Sequence, residues 1–95
     1  MEFDVTILGS NSAIPAHGRN QTAQLVNVGL TSILIDCGEG TQIQLRRFKL
    51  KYSRIDNIFI SHLHGDHYFG LMGMISTFHL HKRSRLLTIF GPKGL

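Results

Sequence analysis

Hydrophobic positions along this chain change period several times, and the changes lay out its elements. From Phe3 to Leu8 the pattern predicts a strand, which gives way to the small polar loop Gly9-Ser10-Asn11-Ser12. Gln24–Val28 and Ser32–Ile35 predict two more strands joined near Gly29 as a hairpin. A glycine-rich turn, Asp36-Cys37-Gly38-Glu39-Gly40, follows. Thr41 with Gln44 three residues later is a capping-box signature for a helix running to about Lys49. Ile55–Ile60 predicts a strand, and Leu71, Met74, Ile75 and Phe78 recur at the spacing of a helix over Tyr68–Leu80. Met72 and Met74 on that helix read as core filling. Leu86–Phe90 predicts a last strand, and Pro92 suits the entry of another helix. The order β, β, β, α, β, α, β is that of an α/β layered domain, with no internal repeat, low-complexity segment or linker.

The chemistry concentrates on His62-Leu63-His64-Gly65-Asp66-His67, directly after the apolar run Ile58-Phe59-Ile60. Residues two apart in extended backbone point to one side, so His62 and His64 can converge on one cation. Gly65 leaves the chain free to turn and aim Asp66 and His67 elsewhere. Imidazoles beside a carboxylate at this spacing are the beginnings of a two-metal site for hydrolysis. The competing reading is a structural zinc, but such sites close four ligands, often with several cysteines, and this chain has only Cys37.

Composition narrows the setting. Ninety-five residues make one small domain at most, and 42% apolar with 17% charged residues is a globular balance. The acidic start Met1-Glu2-Phe3-Asp4 lacks the pattern of a signal peptide, and no apolar run is long enough to span a bilayer, so no membrane partner is expected. A single cysteine excludes an internal disulfide and fits a reducing, cytoplasmic location. The net charge of +4 gathers at Arg46, Arg47, Lys49, Lys51 and Arg54 and at Lys82, Arg83 and Arg85. Such runs suit a polyanion such as RNA, or are simply solvated faces.

Four segments together carry a resemblance. The histidine segment, Leu8 to Pro15 with Arg19-Asn20, Asp36 to Gln42, and Phe90-Gly91-Pro92-Lys93-Gly94-Leu95 are similar to motifs of the metallo-β-lactamase superfamily and, within it, of the ribonuclease Z family. The resemblance implies a zinc-dependent endoribonuclease that cleaves precursor tRNA at its 3′ end and leaves a mature 3′ hydroxyl. It implies that His62 and His64 hold a first zinc, and that Asp66 and His67 hold a second. Asp66 would also be the catalytic proton acceptor, with Asp36 supporting the histidine loop from behind the ligands. Manganese or another divalent ion suits the same donors. Asp36 also reads simply as a turn residue bonding nearby amides. His17, His79 and His81 match no motif, and the latter two suit a helix end.

The resemblance also sets an expectation of extent. Residues 1–95 correspond to the first, amino-terminal half of an αβ/βα four-layer sandwich, truncated before the family's later ligands. Such a half should bind metal weakly, cleave RNA poorly and leave an apolar sheet face open. That face would be covered in a homodimer or by the missing half. Two further readings stay open: another hydrolase of this fold (a lactonase, thioesterase or cyclic-nucleotide phosphodiesterase), or a non-catalytic RNA-binding fragment.

Overall fold

In the computed structural model, which describes residues 3–10 and 22–95, five strands form one sheet in the order β1-β2-β3-β4-β5. They are β1 (Phe3–Gly9), β2 (Ala23–Val28), β3 (Thr31–Ile35), β4 (Ile55–Phe59) and β5 (Thr88–Phe90). The first three make an antiparallel meander, and β2 and β3 are joined through Gly29-Leu30, with Gly29 at φ 61°. That positive φ is the conformation a two-residue hairpin loop asks of its first residue. β4 then pairs parallel to β3, and β5 parallel to β4. Parallel neighbours need crossovers, which α1 (Thr41–Arg47) and the pair α2 (Gly65–Tyr68) and α3 (Leu71–Leu80) supply.

The sheet has one closed face and one open face. Leu25, Leu34, Ile58 and Ile89 lie in register across β2 to β5, and Leu45, Met74 and Phe78 from the helices complete the core on that side. The alternate row, Ile7, Gln24, Ile35, Phe59 and Phe90, turns the other way. On that face Phe59 and Phe90 stack at 4.6 Å, while Phe3, Val5 and Ile7 are exposed. The expected open apolar face is therefore present.

Several local expectations are corrected. Thr41 is not a helix cap: Gly40, at φ 82°, precedes the helix, and the Thr41 hydroxyl donates to Gly38 O (2.6 Å). Gln44 reaches not back to the cap but across to Leu8 O (3.1 Å), so burial outweighs the local box. The helix expected over Tyr68–Leu80 is interrupted at Phe69-Gly70, where the Gly70 N–H donates to Cys37 O (2.8 Å). Met72 is exposed rather than core-filling, as is Ile75, because α3 buries only the Leu71, Met74 and Phe78 stripe. Pro92 opens a turn, with Leu95 N–H donating to Pro92 O (3.2 Å). The segment Asn11 to Pro15, Arg19-Asn20 and His17 lie outside the described residues.

Both α1 and α3 end in the same way. Lys49 (φ 57°) and Lys82 (φ 54°) take the left-handed position after the cap. Leu50 N–H returns to Leu45 O (2.8 Å) and Arg83 N–H to Phe78 O (3.1 Å), which satisfies carbonyls the helix leaves unpaired. Among the described residues no helix is long and apolar enough to cross a membrane.

Candidate metal centre

The carboxyl ends of parallel strands are where α/β sheets place their sites, and here three segments meet there. β3 leads into Asp36, β4 into the Ser61 to His64 loop, and β5 into Gly91. Asp36 adopts φ 62°, a region aspartate tolerates better than most side chains. Its N–H donates to Phe59 O (2.7 Å), so β3 remains attached to β4 as the carboxylate turns inward.

That carboxylate is 4% exposed and organises the loop. Its Oδ1 accepts from the Ser61 N–H (2.8 Å), and the Ser61 hydroxyl donates into both oxygens (2.9 and 3.0 Å). Oδ2 lies 2.9 Å from His67 Nδ1. A carboxylate oxygen accepts, so His67 carries its proton on Nδ1, and Nε2 is the lone-pair nitrogen of that tautomer. Ser61 Oγ lies 3.0 Å from His62 Nδ1. With its own hydrogen committed to Asp36, Ser61 accepts from His62 Nδ1–H, which leaves Nε2 of His62 as the donor atom too. Ser61 went unremarked in the sequence; its one signal there is its place between the β4 run and His62.

The backbone holds the arrangement from below. Cys37 N–H donates to His67 O (2.7 Å), and His67 N–H to His64 O (2.9 Å), so one helical turn, α2, carries Asp66 and His67 against the Asp36 turn. Gly65 does not act as a free turn. It opens α2, and a Cβ there would lie 2.2 Å from the Phe69 ring. Burial pushes the Cys37 thiol up to about 12, with the Asp36 charge adding to the rise and a Thr41 hydrogen bond opposing it. Cys37 is therefore a protonated packing residue at neutral pH.

The three imidazoles cluster. His62 and His64 lie nearly parallel with centroids 5.9 Å apart, His62 and His67 are 5.0 Å apart, and His64 and His67 6.2 Å. With a metal–nitrogen bond near 2 Å, two imidazoles on one tetrahedral ion have centroids about 5 Å apart. The donor set and spacing fit a divalent cation. Yet no three donors among the described residues already converge on one point, so the rings must still draw together. The Asp66 side chain lies outside the described residues.

Comparison with known proteins matches this geometry to a family. A family model described as anti-Pycsar protein Apyc1 matches residues 3–95. Ribonuclease Z of Bacteroides fragilis is 55% identical over 94 residues, covering 99% of this chain and 31% of that protein. The crystal structure of human tRNase Z, short form (ELAC1), superposes with a TM-score of 0.87 at 45% identity, covering 95% of this chain and 35% of that one. The metallo-β-lactamase fold protein YhfI from Bacillus subtilis gives 0.80 at 26% identity, covering 95% and 38%. The chain thus spans about a third of the length of the curated relatives it matches. It has the metallo-β-lactamase fold, is similar over nearly its whole length to ribonuclease Z, and belongs to the family of the anti-Pycsar protein Apyc1 model.

Proposed function

We propose that these residues belong to a divalent-metal-dependent endoribonuclease of the ribonuclease Z type, cleaving precursor tRNA at its 3′ end to leave a mature 3′ hydroxyl. The observation that carries the reading is the Asp36–Ser61 network, which presents Nε2 of His62 and His67 at the carboxyl ends of the parallel strands. The 55% identity with a ribonuclease Z over nearly the whole chain supports this substrate class. His62 and His64 would hold one ion and Asp66 and His67 a second, zinc in this reading. Such ions supply Lewis acidity toward a phosphodiester. Asp66 would accept the proton of the attacking water, and Asp36 fixes the tautomer of His67.

Residues 1–95 would form the amino-terminal half of the domain. The open row of Phe3, Val5, Ile7, Phe59 and Phe90 supports that reading, since an apolar face of this kind suits a second layered half or a second copy. A cytoplasmic setting suits a tRNA-processing role. The cyclic-nucleotide phosphodiesterase reading stands beside the first, because ions held by these donors would serve any phosphodiester.

Substrate competition tests the assignment. The intact protein should release a 3′ trailer from precursor tRNA, lose that activity on chelation, and regain it with zinc or manganese. Turnover confined to cyclic nucleotides would transfer the assignment to the second reading, and turnover confined to small esters would sink both. Asp36→Asn is the finer probe. Asparagine tolerates the left-handed backbone, but its amide can donate to His67 Nδ1 and reverse the tautomer. Metal affinity by calorimetry should fall about 10–100-fold with the fold retained. Unchanged affinity would reduce Asp36 to a turn residue.

A further inference from the structure

Eight of the ten Lys and Arg fall in two short runs, residues 46–54 and 82–85. The fold joins them at the end of the sheet opposite the histidine loop. The first run closes α1 and leads into the amino end of β4, and the second closes α3 on the way to β5. Tyr52 stacks on His81 with centroids 5.8 Å apart, and Arg83 reaches Ser53 O (3.3 Å) and Asp56 (2.5 Å). Between the two helices lies a groove lined by Gln42, Arg46, Tyr52, Thr77 and His81. Lys49, Lys51 and Arg54 line a second hollow beside Asn27 and Ser32.

Some of this charge has a structural explanation. Arg83 and Arg85 both pair with Asp56, and Arg83 lies over the Phe78 ring at 4.9 Å. Lys49 and Lys82 sit at helix ends, where cations suit the dipole. Arg46, Arg47, Lys51 and Arg54 are different: they are exposed, and among the described residues none of them pairs with a carboxylate. A concave, predominantly basic surface, with Asp4 as the one carboxylate lining its hollows, beside a stacked aromatic pair suits a polynucleotide better than a flat anionic membrane.

We infer that this basic end is a contact surface for the phosphate backbone of an RNA, engaging the same substrate whose scissile bond would lie at the histidine loop. β4, five residues or about 16 Å long, separates the two, so one RNA spans both. The inference rests on the ribonuclease reading above and adds a second, sequence-independent anchor to it.

The test uses the intact protein carrying Arg46→Gln, Arg47→Gln, Lys51→Gln and Arg54→Gln, with a chelator present so that binding is read without cleavage. Affinity for precursor tRNA should fall about ten-fold or more at moderate salt. The slope of log affinity against log salt should become shallower by about 0.7–0.9 per lost phosphate contact. With metal restored, cleavage of a short oligoribonucleotide that reaches only the histidine loop should be unchanged. The double variant Lys51→Gln, Arg54→Gln gives half that slope change if the fourfold variant loses its fold. Unchanged tRNA affinity and slope overturn the inference while the ribonuclease reading stands on wild-type cleavage. Weakened binding to phosphatidylserine vesicles with tRNA binding intact overturns it in favour of a lipid. A wild-type protein that neither binds nor cleaves precursor tRNA overturns both.

Discussion

Asp66→Ala in the intact protein should lower precursor-tRNA cleavage by at least about 100-fold, the lower end of what a positioned proton acceptor contributes. The loss should be larger than that of a pure acid–base residue, because in the proposed site Asp66 would also be a ligand of the second ion. The fold should survive. Asp66 sits in α2, a single turn held by backbone bonds from Cys37 to His67 and from His67 to His64, and alanine favours helix. Single-turnover cleavage beside a thermal melt separates the two effects. Activity within ten-fold of wild type would remove Asp66 from the mechanism, and a matching loss of stability would assign it a structural role. His64→Ala is the companion measurement: metal stoichiometry should drop with cleavage, since His64 contributes an exposed ring to the cluster and no core contact.

Gly70→Ala should destabilise the protein by about 2–3 kcal/mol, the scale of an overpacked interior site, although alanine is ordinarily the better helix former. A Cβ at Gly70 would lie 2.2 Å from Gly38 O and 3.0 Å from Cys37 O. Both are backbone atoms of the turn that carries Asp36, and backbone cannot swing aside as a side-chain tip can. Relief of the clash must push α3 away from that turn, which also weakens the Cys37 N–H to His67 O bond. Metal affinity should therefore fall together with stability. Gly73→Ala, three residues further on inside α3, is the control. Its Cβ would meet only the Gln42 amide, with Nε2 at 2.8 Å, the far end of a flexible side chain. Urea midpoints should show a large shift for the first variant and less than about 1 kcal/mol for the second. Equal shifts would mean that helix propensity, not the close approach to the turn, governs this segment.

The sheet was legible from the sequence because strand patterns are local. All five strands appear within two residues of their expected bounds, the largest difference being the start of Thr88–Phe90. The Gly29 hairpin follows from one left-handed residue between two apolar runs. Helix interiors were legible for the same reason, but their ends were not. Thr41 and Gln44 spell a capping box, yet both side chains are drawn to distant carbonyls or to the turn before the helix. The break at Gly70 has no local cause at all, since it exists only because the Asp36 turn packs against it.

The histidine segment divides along the same line. Sequence alone determined the donor types, their spacing and their position after an apolar strand, because these are properties of adjacent residues. Tertiary structure decided how they are aimed. Asp36 lies 31 residues from His67 and 25 from Ser61, and only the parallel pairing of β3 with β4 brings its carboxylate to their atoms. It also decided that two distant basic runs share one surface, through the stacking of Tyr52 on His81 and the reach of Arg83 to Asp56. Chemistry that depends on the identity of neighbouring residues can be read along the chain. Tautomers, interrupted helices and shared surfaces depend on contacts between remote segments, and those exist only once the sheet has closed.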